Sequence, residues 1–240
     1  MSPASVTRRA FSQRQAERWS LAHVPLFAAL DPPELATLSA LAHPLRCRKG
    51  EVVFREGDDG TTLFVVKKGE VKIVLRSHDG KEATLGFRTA GDFFGEQALL
   101  DGEPRSADVI ATEACELLCL RREGFLRFLA DHPTVAIALL AILSQRLRST
   151  TRLVNDAIFL DVRTRVVKAV LDLTNARGIP GPEGELTVPR LTQEDLAHIV
   201  SASRESVNKW LKYYERLGFL SLLRGRLVVR QLPRLRQEIY

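Results

Sequence analysis

The 240-residue chain is short of cysteine, with only 3, at positions 47, 115 and 119. So few exclude a disulfide-stapled scaffold and suit the reducing cytoplasm. Long apolar runs are missing as well. The longest, Val135–Leu143, falls far short of the ~20 residues a membrane-spanning helix needs, so no membrane partner is expected. Arginines at 8, 9, 14 and 18 open the chain without the apolar stretch of a secretory signal, and residues 1–20 read as a flexible arm. The histidines at 23, 43, 78, 132 and 198 have no metal-ligand spacing, and the cysteines lack an iron–sulfur pattern. No nucleophile–base pair stands out either. These absences point away from an enzyme and from a bound metal.

What is present is an uneven charge. The net charge is +6, with 45% hydrophobic and 27% charged residues, a globular composition. Residues 1–162 carry 21 basic and 21 acidic residues, whereas 163–240 carry 14 basic and 8 acidic. The whole excess therefore lies in the last third. Within the remainder, 1–20 is +3 and 21–162 is −3. A neutral body with a basic end suggests a nucleic-acid-binding module.

Local signals divide the chain further. Asp31, Pro32 and Glu34 form the start of a short helix. Short β-rich runs follow at 51–55, 61–67, 70–76, 83–88, 106–112 and 115–121, punctuated by glycines, as in a small barrel or roll. Asp79-Gly80 marks a hairpin turn. Residues 122–130 read as a short helix and 133–159 as a long one, with Asp161 as the cap of a third. Residues 178–190 form a Gly/Pro-rich loop with a short strand, and 218–223 with 227–230 read as a hairpin around Arg224-Gly225-Arg226.

The sharpest pattern is a helix–turn–helix at 192–216. Thr192 with Asp195 reads as a capping box, Ser201-Ala202 as the turn and Ser203 as the next cap. Leu196, Ile199, Val200, Val207 and Leu211 are spaced to meet between the helices, while Arg204, Glu205, Asn208 and Lys209 share the opposite face. Arginine can fork onto guanine and glutamate can accept from cytosine, and the first turn of a second helix is what reaches base edges. Ser201 stands where such turns often have glycine.

A second pattern is FFGEQALLDGEPRSADV, residues 93–109. Backbone N–H groups at a short helix start, the fork of Arg105 and the hydroxyl of Ser106 are donors for a phosphate, and Glu96 is an acceptor for a sugar hydroxyl. The alternative for Arg105 is a structural salt bridge. Along the long helix, Leu140, Leu143, Leu147, Thr150, Val154 and Ala157 recur at spacings of three and four, a dimer seam. Thr150 interrupts that seam with a hydroxyl, which either meets a ligand or bonds back to its own helix.

These motifs carry a resemblance. Residues 93–109 resemble the phosphate-binding cassette of cyclic-nucleotide-binding domains, and EGDDGTTLFVVKKGEVKI (56–73) is similar to the segment that precedes it there. FLDV (159–162) and ASRESVNK (202–209) resemble the cyclic-AMP receptor family within the Crp/Fnr superfamily. The resemblance covers about residues 22–232 and implies an α+β chain. A β-roll over 21–132 would lead into a dimerisation helix and hinge over 133–162, then a winged helix–turn–helix over 163–240. It implies cyclic AMP as effector, held by Gly95, Glu96, Gln97, Ala98, Arg105 and Ser106, with Thr150 and Thr151 on the adenine and Arg146 paired with Glu96. Gln97 departs from the commoner leucine or methionine. It further implies a homodimer that reads palindromic TGTGA-like DNA through Ser203, Arg204, Glu205, Asn208 and Lys209, and RNA polymerase as a further partner. A relative within the superfamily could instead sense another effector or bind DNA without one.

Overall fold

The computed structural model describes residues 19–239 apart from 183, 190 and 224. The expected arm 1–20, except for its last two residues, and Arg224 of the expected hairpin lie outside the described residues. The chain packs as two compact units, one through Ile73 together with Phe87–Arg146, the other Val74–Gly86 with the chain from Leu147 onward.

The first unit opens on two short 3-10 turns, Leu21–His23 and Pro25–Phe27, and helix α1, Pro32–Leu41. The start of α1 is set locally: Glu34 N–H donates to Asp31 Oδ1 and Asp31 N–H donates to Glu34 Oε2, both at 2.8 Å. Eight strands follow, the end of β4 and most of β5 being counted with the second unit: β1 Ala42–Cys47, β2 Val52–Phe54, β3 Thr62–Lys68, β4 Glu70–Arg76, β5 Glu82–Thr89, β6 Phe93–Phe94, β7 Asp108–Ala111 and β8 Cys115–Arg121. A short helix α2, Glu96–Asp101, sits between β6 and β7. The strands form two four-stranded sheets, ordered β1-β8-β3-β6 and β2-β7-β4-β5.

The alternation of β3 shows how this roll is filled. Leu63 and Val65 pack with Leu21, Phe27, Leu120, Phe125 and Leu139 on the helical side. Phe64 and Val66 face the other way, onto Val71, Phe94, Val109 and Leu117 between the sheets. Side chains two apart share a face, so one strand seals two apolar layers. Strand β1 is an edge strand of mostly exposed residues, which tolerates Pro44 because its unpaired side needs no N–H. That strand and the two-residue β6 are additions to the six expected runs.

Helices α3, Arg122–Asp131, and α4, Pro133–Phe159, follow β8. Val135 and Leu139 of α4 are buried in the helical layer, and Ile142 and Leu143 pack against it. Leu143 therefore turns toward the roll. Ile137, Leu140, Leu147, Val154 and Ile158 form an exposed stripe along the same helix. Among the described residues no single helix is long and apolar enough to cross a membrane.

The second unit is built on α5, Val162–Arg177, which Asp161 caps by accepting from Thr164 N–H at 2.8 Å. Its remaining elements are β9 Ile179–Pro180, β10 Leu186–Pro189, α6 Gln193–Val200, α7 Arg204–Arg216, β11 Leu220–Leu223, β12 Arg226–Val229 and α8 Leu232–Gln237. The strands pair in the order β11-β12-β10-β9, so the Gly/Pro-rich loop supplies two strands where one was expected. Val166, Val170, Leu196, Val207, Leu211, Tyr214, Leu227 and Leu235 form its core. The Asp79-Gly80 turn forms as expected, with Gly80 at φ 80° and Ser77 N–H donating to Lys81 O at 2.9 Å.

Candidate effector site and nucleic-acid interface

The turn between β6 and α2 gathers the residues of the 93–109 motif. Gly95 has φ 77°, a left-handed backbone, and a Cβ there would lie 2.7 Å from Arg105 Nη1. Both requirements select glycine. Gly60 is constrained by the same turn, because a Cβ there would lie 2.1 Å from the Ala98 methyl.

Arg105 is buried, with only 5% of its surface exposed. Its Nη1 donates to Gly95 O at 2.7 Å and its Nη2 to Thr62 O at 2.8 Å. The guanidinium lies over the Phe54 ring, 4.2 Å from the centroid, with Phe64 at 5.7 Å. Its Nε has no hydrogen-bond partner among the described residues. Among the described residues no carboxylate pairs with it; the ion pair nearby belongs to Glu96 and Arg146, at 2.8 Å. The salt-bridge alternative for Arg105 is therefore not what the structure holds. Burial lowers the arginine's affinity for its proton, and the charges of Glu96 and Asp58 oppose that. A cation desolvated without a counter-ion has unspent attraction for an anion.

Glu96 is buried at 6% exposure, and the Arg146 guanidinium that holds it also donates to Phe93 O at 2.6 Å and lies over the Phe93 ring. The expected Glu96–Arg146 pair thus forms. A carboxylate keeps further acceptor sites after one such contact. Ser106 is exposed and its hydroxyl donates to Gln97 Oε1 at 2.5 Å. The sequence alone did not single out Phe54 and Phe64 beneath the arginine, which lie on strands far from it in the chain. Nor did it single out Arg88, whose charge is disfavoured first by burial and then by Arg146.

Thr150 and Thr151 follow Arg146 along α4 and belong to the second unit. Both are exposed, and Thr151 Oγ1 donates back to Leu147 O at 3.0 Å. Of the seam positions, Leu140, Leu147, Thr150, Val154 and Ala157 are exposed, whereas Leu143 is half-buried.

In the second unit the helix–turn–helix forms from its own caps. Asp195 N–H donates to Thr192 Oγ1 at 3.0 Å, Thr192 N–H donates to Asp195 Oδ2 at 2.9 Å, and Ser206 N–H donates to Ser203 Oγ at 3.2 Å. Ser201 takes the left-handed turn position at φ 49°. Ser203, Arg204, Glu205 and Lys209 are exposed at the start of α7. Glu205 is held below the usual carboxylate range, chiefly by its own backbone N–H, then by the Ser203 hydroxyl and the charge of Arg204. Asn208 is only half-exposed and accepts from Gln193 Nε2 at 3.1 Å, which ties it to the preceding helix. A network missed in the sequence anchors α7 from behind. Arg163 Nε donates to Tyr214 Oη at 2.9 Å and its Nη2 pairs with Glu238.

Comparison with known proteins matches both halves. The cyclic nucleotide-binding domain family matches residues 44–132 and the Crp-like helix-turn-helix domain family matches residues 164–238. The chain is 34% identical over 202 residues to a CRP-like cAMP-activated global transcriptional regulator of Mycobacterium tuberculosis, covering 84% of this chain and 90% of that one. It is 33% identical over 215 residues to the cAMP-activated global transcriptional regulator Vfr of Pseudomonas aeruginosa, covering 88% and 97%. Among solved structures, the c-di-GMP responsive global regulator CLP of Xanthomonas campestris matches at a TM-score of 0.74 and 29% identity, over 83% of this chain and 99% of that one. The catabolite activator protein of Thermus thermophilus matches at 0.52 and 32%, over 90% and 98%.

Proposed function

Since the chain belongs to the Crp/Fnr family of DNA-binding transcription regulators, with a cyclic nucleotide-binding domain and a Crp-like helix–turn–helix, we propose that it is a cyclic-AMP-responsive homodimer acting on DNA in the cytoplasm. One observation carries the effector half of this reading. Arg105 is buried, and among the described residues it has no carboxylate partner and its Nε has no hydrogen-bond partner. In this reading a cyclic phosphate is the anion that pairs with Arg105, with Ser106 as a second donor and Gly95 and Glu96 carried over as the contacts to the ribose. Thr150 and Thr151 are carried over as the contacts to the base. The domain limits 21–132, 133–162 and 163–240 belong to the same reading.

The exposed apolar stripe of α4 supports pairing with a second copy, because apolar residues repeating every three or four positions bury their surface in a coiled coil. Two such subunits would present two α7 helices to successive major grooves of a palindrome. Arg204 and Glu205 would read TGTGA-like half-sites, with Ser203 and Lys209 beside them, Asn208 bracing the helix, and RNA polymerase engaged by the bound dimer. Calorimetry with cyclic AMP and cyclic GMP, then binding of a palindromic duplex with and without the nucleotide, tests the proposal. Heat from cyclic AMP and a nucleotide-dependent rise in DNA affinity are expected, and no heat from either nucleotide refutes the effector assignment.

The likeness to CLP favours a second reading, in which another effector such as cyclic di-GMP sets DNA affinity. Cyclic di-GMP in the same titration separates the two.

A further inference from the structure

Within the 93–109 turn the Gln97 side chain bonds to Ser106, one of the two proposed phosphate donors. Its carbonyl oxygen receives the Ser106 hydroxyl at 2.5 Å. A serine hydroxyl has a single proton to give, and here that proton is committed to Gln97. A phosphate oxygen only accepts. For Ser106 to serve an anion, its proton must swing away from Gln97, which leaves two acceptor oxygens facing each other at hydrogen-bond distance. A glutamine can relieve this where the commoner leucine or methionine cannot. Turning its terminal amide by half a turn presents an N–H to the serine oxygen.

Resting on the proposed cyclic-phosphate reading, we propose that Gln97 is a positioning residue for the effector phosphate, acting through Ser106. Without ligand it holds the Ser106 hydroxyl by accepting its proton. With ligand it reverses and donates to the Ser106 oxygen, while Ser106 donates to the phosphate. The pair thus forms a directed chain, amide N–H to hydroxyl oxygen and hydroxyl proton to phosphate oxygen, in which each donation strengthens the next. Gln97 is exposed and α2 is short, so the side chain has room to turn without disturbing the buried Ala98 and Leu99.

The experiment is a double-mutant cycle on the full-length protein, with cyclic AMP binding read by calorimetry and thermal melting confirming that each variant is folded. Gln97→Met keeps the length of the side chain and removes both hydrogen-bonding ends. It is expected to weaken binding about threefold to tenfold in the wild-type background. In the Ser106→Ala background the same change should have no effect, because the residue it acts through is gone. Gln97→Glu, which at neutral pH only accepts, should bind more weakly than Gln97→Met. Equal losses from Gln97→Met in both backgrounds, no loss in the wild-type background, or wild-type affinity in Gln97→Glu would overturn the proposal while leaving the effector reading intact. Wild-type protein that gives no heat with cyclic AMP would overturn both.

Discussion

Replacing Arg105 with leucine separates an anion-binding arginine from a structural one. Two of its N–H donors reach Gly95 O and Thr62 O at 2.7 and 2.8 Å. Hydrogen bonds from a charged donor contribute about 1.5–3 kcal/mol each, so about 3–6 kcal/mol is forfeited. Against this stands the cost of burying a guanidinium without a counter-ion, several kcal/mol, which the substitution removes. Leucine also keeps apolar contact with Phe54. The two sides nearly cancel, so the ligand-free variant should unfold within about 2 kcal/mol of the wild type. Ligand linkage does not cancel. At 100 times its Kd, cyclic AMP adds about 2.7 kcal/mol to the wild type, or about 5–10 °C in the Tm of a unit of this size. Arg105→Leu should melt near the wild-type temperature without nucleotide and show no shift with it, by calorimetry or dye-monitored melting. An undiminished shift would mean that the phosphate is held elsewhere. A ligand-free loss above about 4 kcal/mol would make the arginine a structural strut.

Four further outcomes follow from other parts of the molecule. Ser201 has φ 49°, so Ser201→Gly should stabilise the second unit by up to about 1 kcal/mol, read as a higher melting temperature, with no fall in DNA affinity if the turn only supports α7. Asp161→Ala should cost about 1 kcal/mol in the same melt. The Asp161 carboxyl is held below its ordinary value, chiefly by the Thr164 N–H and hydroxyl, so its contribution is present above the unfolded pKa and is lost as pH falls through the folded one; wild type and variant should converge there. Leu147→Lys, at a site with 68% exposure on the α4 stripe, should shift the protein to a monomer in light scattering at micromolar concentration. DNA affinity should fall steeply as salt rises, whereas cyclic AMP affinity should change little; parallel salt slopes in the two titrations would contradict the separation of the sites.

Much of this fold is written in short-range signals. The caps at Asp31, Thr192, Asp161 and Ser203 and the Asp79-Gly80 turn each depend on residues within four positions, and all form as read. Strand β1 escapes such a reading because Ala42–Cys47 contains Pro44, His43 and Arg46 and is held in the sheet by β8, not by its own pattern. The seam of α4 is ambiguous for another reason. The helix has apolar residues on two sides, one packed on the roll through Val135, Leu139 and Leu143, the other exposed through Leu140, Leu147 and Val154. Spacing alone does not separate the two faces, since three- and four-residue steps describe both; Leu143, counted in the seam by its spacing, also packs on the roll. The aromatic bed of Arg105 and the tie from Arg163 to Tyr214 and Glu238 join distant parts of the chain and leave no local trace.

The charge distribution explains why the two proposed ligands need different means of capture. Residues 163–240 hold the entire excess of +6, and a duplex can be attracted by that sum because its phosphates meet many side chains at once. Residues 21–162 carry a net of −3, so a small cyclic phosphate gains nothing from the field of the domain proposed to hold it. Salt confines exposed charges to about 8–10 Å, which makes that unfavourable sum weak at the site. What remains is local. Arg105 sits on Phe54 and Phe64, away from water, where an unlike charge interacts several times more strongly than at the surface. Glu96, the nearby buried carboxylate, is already paired with Arg146 and does not neutralise it. An arginine so placed needs no basic domain around it, and a basic domain so placed needs no buried arginine.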